Sequence, residues 1–362
     1  MSLTPSHRLL LVDYLFHQSF QSPIIIMRAI VVTEHGPPSS LKVTDAPRPP
    51  RAKGEALIRV VGAGVNPVDW KIRAGPERGG LAAKLPQILG GDLSGVVLEA
   101  DDGSALKPGD RVIALTNGFH WDSQGHDGCY CEVSAVPVPH LARPPSSMPL
   151  VEAAAVPLVA LTAWQTLALA PDAAIAGKRV LVHAGAGGVG HVAVQLAKNA
   201  RGAAFVAATG RPHSHEFLRG LGCDEVIDYT AADWDAKFRG SEADKFDVVF
   251  DLVAGDAELK SYGLLKRGGY YLHVFNTGTD PERTAKTKEE WAADGSERHY
   301  EGPTLVVPDG SGLAKISGLI DEGKLRVEVS QVVPLEEAAR AHEKLEGLAV
   351  RGKIVLKVAE EE

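Results

Sequence analysis

The first part of the chain, from Met27 to about residue 150, consists of short apolar runs separated by glycine and proline. Tight turns are indicated at Gly36-Pro37-Pro38 and at Lys107-Pro108-Gly109-Asp110. Short strands with this punctuation are typical of a β-barrel or a β-sandwich. The strands that the pattern predicts are residues 28–33, 55–62, 95–100, 111–115 and 129–136.

From about residue 150 the pattern changes to continuous apolar strands that alternate with helices. Such strands indicate a parallel sheet that is covered by helices on both faces. A helix is predicted at 150–170, followed by strands at 179–183, 203–209, 225–229, 246–253 and 269–275 and helices at 191–200, 214–221 and 257–265. The polar residues 277–300 predict a loop. The tail predicts helices at 313–322 and 335–345 and strands at 327–332 and 353–358.

Composition limits the classes of partner. The 362 residues suggest two domains of roughly 150 residues or more. With 38 Lys and Arg against 46 Asp and Glu, the net charge of −8 argues against nucleic acid, because phosphate binding needs a basic face. The three cysteines Cys129, Cys131 and Cys223 give no disulfide framework and fit a reducing compartment. No apolar run reaches the roughly 18 residues that a membrane-spanning helix needs.

Residues 1–26 form an N-terminal extension that differs in composition from the rest of the chain. The segment holds one arginine, Arg8, and one acidic residue, Asp13, whereas organellar transit peptides are rich in arginine and poor in acid. A start at Met27 would remove the segment without touching any motif. We therefore expect a cytoplasmic protein, with an organelle as the alternative if residues 1–26 are a targeting peptide.

A glycine-rich turn follows one predicted strand and opens a predicted helix. Small residues at this place allow the backbone to approach a pyrophosphate, and the helix N-terminus presents free N–H groups to it. The last glycine also lets the helix and the strand pack closely. The sequence therefore predicts a dinucleotide site, with a structural turn as the alternative. The turn residues are Ala184, Gly185, Ala186, Gly187, Gly188, Val189 and Gly190.

The next strand carries the signal for the choice of cofactor. An NAD site usually has an acidic residue at the end of this strand, about 20 residues after the glycines, where it binds the ribose 2′-hydroxyl. Here the strand ends in Thr209-Gly210-Arg211, without a carboxylate. The guanidinium of Arg211 suits a 2′-phosphate. The sequence therefore favours NADPH over NADH, with a solvated loop cation as the alternative role of Arg211.

Several ordered motifs resemble the zinc-independent branch of the medium-chain dehydrogenase/reductase superfamily, the quinone oxidoreductase-like proteins. The resemblance extends from Met27 to the end of the chain. Its motifs are Asn66-Pro67-Val68-Asp69-Trp70-Lys71, Gly90-Gly91-Asp92 before Ser94-Gly95-Val96-Val97, Lys107-Pro108-Gly109-Asp110-Arg111-Val112, Leu161-Thr162-Ala163, the glycine-rich turn, Leu221-Gly222-Cys223-Asp224-Glu225-Val226-Ile227-Asp228-Tyr229 and Arg351-Gly352-Lys353.

The resemblance implies an α/β protein of two domains. A GroES-like, β-rich catalytic domain would cover residues 27–150 and be completed by about 303–362. A Rossmann domain with a doubly wound parallel sheet would cover residues 151–302. Substrate and nicotinamide would meet in the cleft between the two domains.

The zinc ligands of related enzymes are replaced in this chain. Zinc-dependent relatives carry a cysteine ligand where this chain has Asn66 and a histidine ligand where it has Gly91, and neither residue is a normal zinc ligand. The cysteine-rich lobe that binds structural zinc in those relatives is missing as well. Cys129 and Cys131 are expected to be packed thiols. We therefore predict no metal site.

Without a metal, the implied chemistry is hydride transfer to an acceptor that needs little Lewis acid. Quinones and α,β-unsaturated carbonyls fit, because hydrogen bonds can stabilise the charge that develops on their oxygen. The resemblance places Asn66 and Lys71 in or beside the cleft, where Asn66 would orient the substrate or the ribose and Lys71 would bind the ribose or the substrate carbonyl. The cofactor-binding residues that it implies beside the turn are Thr162, Arg211, Tyr229, Val253, Val274, Phe275 and Lys353.

Two other functions stay open at the level of sequence. Reduction of a 2-enoyl thioester is one, although the chain shows no basic cluster for coenzyme A. A nucleotide-binding relative without catalysis is the other, because a fold does not fix a function. The resemblance also implies a homodimer, for which residues 304–307 are a candidate edge strand. The loops 73–86, 117–128 and 277–300 are expected to shape the acceptor pocket, with His120 and His126 at its mouth.

Overall fold

The computed structural model describes residues 25–116, 128–275, 278–347 and 350–361. The first part is rich in strands, as predicted, and an eight-residue helix begins at Pro67, shortly after the end of β3. The elements are β1 (Ile26–Val32), β2 (Val43–Pro47), β3 (Glu55–Val65), α1 (Pro67–Ala74), β4 (Gln87–Ile88), β5 (Asp92–Glu99), β6 (Arg111–Leu115), β7 (Val133–Pro137) and β8 (Leu141–Ala142). Ile26, the first residue of β1, falls inside the predicted N-terminal extension.

The second part alternates strands and helices around one sheet. Its elements are α2 (Leu150–Ala153), α3 (Pro157–Leu167), β9 (Arg179–Val182), α4 (Gly188–Gln195), β10 (Phe205–Gly210), α5 (His215–Gly220), β11 (Glu225–Asp228), β12 (Phe246–Asp251), α6 (Gly255–Tyr262), β13 (Leu265–Val274), α7 (Pro281–Ala293) and β14 (His299–Thr304). The six strands are parallel, in the order β11-β10-β9-β12-β13-β14. This order reverses at β9, which is the doubly wound Rossmann arrangement. The predicted fold class is confirmed.

The tail returns to the first part of the chain. It comprises α8 (Gly310–Asp321), β15 (Val329–Pro334), α9 (Ala338–Glu346) and β16 (Lys353–Lys357). Strand β16 pairs antiparallel with β3, which extends a seven-stranded sheet in the order β15-β16-β3-β5-β6-β8, with β7 on β3. A smaller sheet has the order β2-β1-β4. The chain therefore leaves the first sheet, builds the Rossmann sheet and comes back. The domain boundaries at residues 150 and 302 stay predictions.

One cluster of the apolar core contains residues of both parts. Buried Leu115 of β6, Leu161 of α3, Phe250 of β12 and Val355 of β16 belong to the same cluster of packed side chains. The Rossmann sheet and the seven-stranded sheet are therefore joined through apolar contacts as well as through the chain. Among the described residues, no helix has both the length and the apolar character that crossing a bilayer requires.

The prediction of a loop at residues 277–300 is wrong. Helix α7 occupies most of it, and the Asp280 carboxylate caps its start by accepting hydrogen bonds from the N–H groups of Glu282 and Arg283 at 3.1 and 3.0 Å. The buried face of α7 consists of Thr284, Thr287 and Trp291, so only one large apolar residue marks it. The predicted helix at 150–170 is likewise divided in two, because the chain turns before Pro157.

Candidate functional site

The glycine-rich turn joins β9 to α4 at the carboxyl edge of the Rossmann sheet. A Cβ atom on Gly190 would lie 2.2 Å from the carbonyl oxygen of Ala184, and one on Gly185 would lie 2.7 Å from the Cβ of Ala208. These two positions therefore need glycine for close packing of the turn on the helix and the sheet. The first N–H groups of α4, which begins at Gly188, have no partners within the helix and are available to an anion.

Ala184 opens the turn in the left-handed region, with φ of 50°. This conformation costs a residue with a side chain about 1 kcal/mol or more. The structure holds Ala184 there through the end of β10, because its N–H group donates to the hydroxyl of Thr209 at 2.9 Å. The N–H group of Gly185 donates to the carbonyl oxygen of Thr209, also at 2.9 Å. Thr209 is a site residue to which no pattern in the sequence pointed.

Arg211 lies just after β10, as predicted, and is exposed. Its Nε atom donates to the hydroxyl of Tyr229 at 2.9 Å, which brings together two residues predicted to bind the cofactor. The nearby carboxylate at the end of β11, Asp228, accepts from both the N–H and the hydroxyl of Thr230 at 3.0 and 2.6 Å. These bonds lower the pKa of Asp228. The guanidinium and the phenol therefore form a polar pair beside the glycine turn.

Lys353 lies at the centre of a buried polar cluster at the start of β16. Its ammonium donates to the carbonyl oxygen of Val65 at 2.9 Å, to Oδ1 of Asn66 and to Oδ2 of Asp92 at 3.1 Å. Asn66 Nδ2 donates to the same Asp92 oxygen at 2.8 Å. The side chains of Lys353 and Asp92 are 3% and 0% exposed, so each charge compensates the other in the absence of bulk water. All three N–H donors of Lys353 are used inside the protein.

This cluster touches the start of α3 and the glycine turn. The other carboxylate oxygen of Asp92 accepts from the N–H group of Leu158 at 2.6 Å. One turn later, Thr162 donates its hydroxyl proton to the carbonyl oxygen of Leu158 at 2.7 Å. On the other side, the N–H group of Gly352 donates to the carbonyl oxygen of Ala186 at 3.2 Å. The two parts of the chain therefore meet at predicted site residues, with Asp92 as the shared acceptor.

Helix α1 contacts the same cluster through Asp69. The buried carboxylate of Asp69 accepts from the N–H group of Asn66 at 2.7 Å and from the hydroxyl of Tyr130 at 3.0 Å. Burial raises the pKa of Asp69 to about 7. Lys71 follows on the same helix, and partial burial lowers the pKa of its ammonium. Its Nζ atom lies 5.8 Å from the centre of the Trp70 ring.

Three further predicted residues lie at the carboxyl ends of neighbouring strands. Val253 follows β12 and is 47% exposed, while Val274 ends β13 and the next residue, Phe275, is 44% exposed. The buried carboxylate of Asp251 fixes the turn after β12 by accepting from the N–H group of Val253 at 2.9 Å. Since the carboxyl ends of parallel strands share one edge of a sheet, these apolar side chains lie on the same edge as the glycine turn.

The described residues hold no group of three or more histidine, cysteine, aspartate or glutamate side chains that could bind a metal ion. The carbonyl oxygen of Gly91 accepts from the N–H group of Thr116 at 2.6 Å. The buried thiol of Cys129 donates to the carbonyl oxygen of Asp92 at 3.0 Å, and burial raises its pKa. His120 and His126 lie outside the described residues.

The geometry fits a dinucleotide. The Gly185 and Gly190 positions have no space for a Cβ, the start of α4 presents N–H groups, and the Arg211–Tyr229 pair lies at the next strand end. The Lys353 cluster joins this edge to α1, which carries Lys71. The start of α4 and the Arg211–Tyr229 pair can bind the phosphates of a dinucleotide, and Lys71 can donate a hydrogen bond to a reactant.

Comparison with known families gives two matches. Residues 52–146 match the family described as alcohol dehydrogenase GroES-like domain, and residues 221–356 match the family described as zinc-binding dehydrogenase. Together these two matches include strands β3 to β8, four of the six Rossmann strands and nearly all of the returning tail. Neither match by itself distinguishes the acceptor of the reaction.

Three individual proteins are similar over nearly the whole chain. The mitochondrial NAD(P)H oxidoreductase of Danio rerio is 31% identical, with 93% of this chain and 92% of that protein covered. The chloroplastic NADPH-dependent alkenal/one oxidoreductase of Arabidopsis thaliana is 33% identical, with 91% and 79% covered. The structure of the quinone oxidoreductase from Coxiella burnetii is 34% identical, covers 92% of this chain and 100% of its own, and has a TM-score of 0.79.

Proposed function

The chain belongs to the medium-chain dehydrogenase/reductase superfamily, and on that premise we propose that it is an NADPH-dependent reductase that transfers hydride to quinones or α,β-unsaturated carbonyls without a catalytic metal. The observation that carries the proposal is the glycine turn packed against the returning tail, where the N–H group of Gly352 bonds Ala186. This contact brings the residues suited to a dinucleotide next to the buried cluster of Lys353, Asn66 and Asp92.

Arg211 supports NADPH as the cofactor. Its guanidinium is exposed beside the hydroxyl of Tyr229, and the two form a donor pair suited to a 2′-phosphate. Asp228 ends β11 and not β10, so it does not occupy the place of the acid that typically binds a 2′-hydroxyl, and its carboxylate is engaged by Thr230. The relative from Arabidopsis thaliana is named as NADPH-dependent.

The residue types at the former ligand positions support chemistry without zinc. The amide of Asn66 and the hydrogen side chain of Gly91 are poor zinc ligands. The amide of Asn66 is bound at its oxygen by Lys353 and at its nitrogen by Asp92. We therefore assign Asn66 as a positioning residue that holds α1 against β16.

Lys71 is the residue that we assign to contact the reactants. The bound reduced nicotinamide supplies a hydride. Hydride addition to a quinone or a conjugated carbonyl leaves negative charge on the acceptor oxygen, and a cationic donor stabilises that charge. Within the described residues no hydrogen bond or ion pair engages the Lys71 ammonium, which lies over the Trp70 ring. The ammonium is thus available to the acceptor oxygen or to the nicotinamide ribose.

The test is oxidation of NADPH, followed by the loss of the reduced nicotinamide absorbance, with NADH as the control. The acceptors are a p-quinone, an o-quinone, an alkyl vinyl ketone and a 2-alkenal. We expect turnover with at least one of these classes and a preference for NADPH. Tight NADPH binding with every acceptor inert would contradict catalysis and favour a nucleotide-binding protein. Failure to bind NADPH would refute the cofactor assignment.

We also propose a homodimer that uses the segment after β14. Strand β14 is the edge of the Rossmann sheet, and Leu305 and Val307 just beyond it are 54% and 58% exposed. The side-chain amide of Gln165 bonds both the carbonyl oxygen and the N–H group of Val307, at 2.8 and 3.0 Å, and so attaches this segment to α3. Light scattering after size exclusion tests the proposal, and a monomer at every concentration would contradict it.

The cellular compartment depends on residues 1–26. We propose a cytoplasmic location, and the relatives named as mitochondrial and chloroplastic make an organelle the alternative. Fusion of residues 1–26 to a fluorescent reporter tests both. A diffuse reporter supports the cytoplasm, whereas import of the reporter into an organelle overturns that assignment.

A further inference from the structure

His183 is buried directly behind the glycine turn, between β9 and α6. It is 1% exposed, and both of its ring nitrogens lie near hydroxyl groups. Nε2 is 2.7 Å from the hydroxyl oxygen of Ser261, and Nδ1 is 3.4 Å from the hydroxyl oxygen of Thr209. The edge of the ring also packs against Trp234, with the ring centres 5.6 Å apart.

The direction of each hydrogen bond follows from the neighbouring groups. The hydroxyl of Ser261 donates a hydrogen bond to the carbonyl oxygen of Ala257 at 2.7 Å, so the hydroxyl oxygen accepts a hydrogen bond from Nε2–H of His183. Thr209 accepts from the N–H group of Ala184 at 2.9 Å, so its own proton is free to point at Nδ1. The Ser261 bond places a proton on Nε2, and in the neutral ring Nδ1 then accepts from the Thr209 hydroxyl. Burial, which lowers the pKa of His183, favours the same neutral form.

We infer that His183 is a positioning residue for the cofactor, since its Nε2–H form orients the Thr209 hydroxyl that holds Ala184 in the left-handed conformation. The chain of bonds runs from α6 through His183 to the first residue of the turn. It fixes the turn before the cofactor arrives, so that the N–H groups at the start of α4 keep their direction. The inference rests on the proposed binding of NADPH.

Replacement of Thr209 tests the chain of bonds. Thr209→Val keeps the shape but leaves the N–H group of Ala184 without its acceptor, and we expect the Kd of NADPH to rise about tenfold, the effect of losing one buried hydrogen bond. Thr209→Ser keeps the hydroxyl and should restore binding to within about threefold of the wild type. At saturating NADPH, kcat should change less than Kd, because neither variant alters a group that contacts the acceptor.

Thr166→Val is the matched control. Thr166 is also fully buried, and within the described residues its hydroxyl has no hydrogen-bond partner, so the same exchange should leave the Kd of NADPH unchanged. A wild type that fails to bind NADPH refutes the proposed function and this inference together. A wild type that binds, with Thr209→Val binding equally well, overturns this inference alone.

Nitrogen NMR of histidine-labelled protein tests the ring directly, even if Thr209→Val does not fold. In the wild type His183 should be neutral with its proton on Nε2. Ser261→Ala removes the acceptor of that proton, so the ring should change to the Nδ1–H form, donating to Thr209. A charged ring, a wild-type ring protonated on Nδ1, or an unchanged ring in Ser261→Ala would each overturn the inference.

Discussion

Two neighbouring polar residues of one motif, Asn66 and Lys71, have different capacities to contact a ligand. The amide of Asn66 is engaged at both ends by Lys353 and Asp92, and its backbone N–H group is held by Asp69. Lys71 lies half-buried, and burial alone lowers its pKa. A buried group that already has its partners loses hydrogen bonds if it turns to a substrate, whereas an unengaged ammonium loses none. Residue type suggested both roles, but only the hydrogen bonds distinguish them.

Arg211→Gln tests cofactor discrimination at a single residue. The variant removes the charge but keeps a polar side chain, so affinity for NADPH should fall about tenfold or more, as expected for a hydrogen bond to a charged group. Affinity for NADH should stay the same because it lacks the 2′-phosphate. Titration of each cofactor measures the ratio, and Arg219→Gln, an exposed exchange at the end of α5, is the control. An equal loss for both cofactors would show that Arg211 does not bind the 2′-phosphate.

His342 makes the stability of the protein depend on pH. It is buried on α9, with Nε2 3.3 Å from the hydroxyl of Tyr130, and burial near Arg73 lowers its pKa from 6.5 to about 3. His342 therefore takes up a proton near pH 6.5 in the unfolded chain but stays neutral in the folded protein down to about pH 3. The stability from neutral His342 is present above pH 6.5 and is lost as the pH falls towards 3. At pH 5 the loss amounts to about 2 kcal/mol.

Asp69 acts in the opposite direction. Its pKa of about 7 in the folded protein exceeds the value near 3.8 of an exposed aspartate, so stability falls as the pH rises between these values. We therefore compare wild type with His342→Gln. From pH 7 to pH 5, the variant should lose about 2 kcal/mol less of its free energy of unfolding than the wild type does. Urea denaturation at each pH measures the free energy of unfolding. If this free energy changes equally with pH in both proteins, the role of His342 is contradicted.

At the scale of elements, the hydrophobic pattern did not always predict which segments form a helix and pack on the core. The segment 277–300 was expected to be a loop because it is polar, yet α7 forms there with Asp280 as its cap and buries Trp291. A capped helix needs only a narrow apolar face when tertiary packing stabilises it. The glycine turn behaved differently. Its spacing was enough to predict a strand, a turn and a helix, because the close approach of backbone to backbone excludes side chains.

Gly190→Ala tests that close approach. The new methyl group would lie 2.2 Å from the carbonyl oxygen of Ala184 and 2.8 Å from the Cα of Gly185, so α4 must move away from the turn. We expect a loss of about 1–3 kcal/mol in the free energy of unfolding, as for overpacked sites, and weaker NADPH binding. Gly318→Ala on α8 is the control, since it meets open space and should stabilise its helix by roughly 0.5–1 kcal/mol. An equally stable Gly190→Ala protein would contradict the packing argument.

At the scale of the whole molecule, the buried cluster connects four distant parts of the chain. Val65 ends β3, Asp92 begins β5, Leu158 is the second residue of α3, and Lys353 begins β16. The Asp92 carboxylate accepts from the N–H group of Leu158 and from the Lys353 ammonium, and that ammonium also donates to the carbonyl oxygen of Val65. A buried ion pair adds little net stability, because removing both charges from water offsets their attraction. In this protein it lies where the tail joins the Rossmann part.

Lys353→Met should be strongly destabilising, because it leaves the carboxylate of Asp92 buried without a countercharge. We expect a loss of about 3–5 kcal/mol in the free energy of unfolding. The double variant Lys353→Met with Asp92→Asn removes both charges, so its loss should be smaller than the sum of the two single losses. Urea denaturation of the wild type and the three variants measures this coupling. Strict additivity would show that the two charges do not depend on each other.

The sequence by itself determined the strand-rich first part, the alternating strands and helices of the second part and the strand, turn and helix around the glycines. These depend on local signals, namely hydrophobic periodicity and glycines at positions where the backbone packs too closely for a side chain. The completion of the first part by the tail was implied by the family resemblance. The comparisons with relatives support the same class of reductase.

Only the tertiary structure decided which side chains share their hydrogen bonds. Asp92 became the acceptor for Lys353, Asn66 and Leu158, and Thr209 became the anchor of Ala184. The motif that contains Asp92 carried the family resemblance but did not indicate these partners, and no pattern marked Thr209. Their partners lie tens to hundreds of residues away in sequence, and a hydrogen bond depends on distance and direction in space. Such contacts exist only once the strands have assembled.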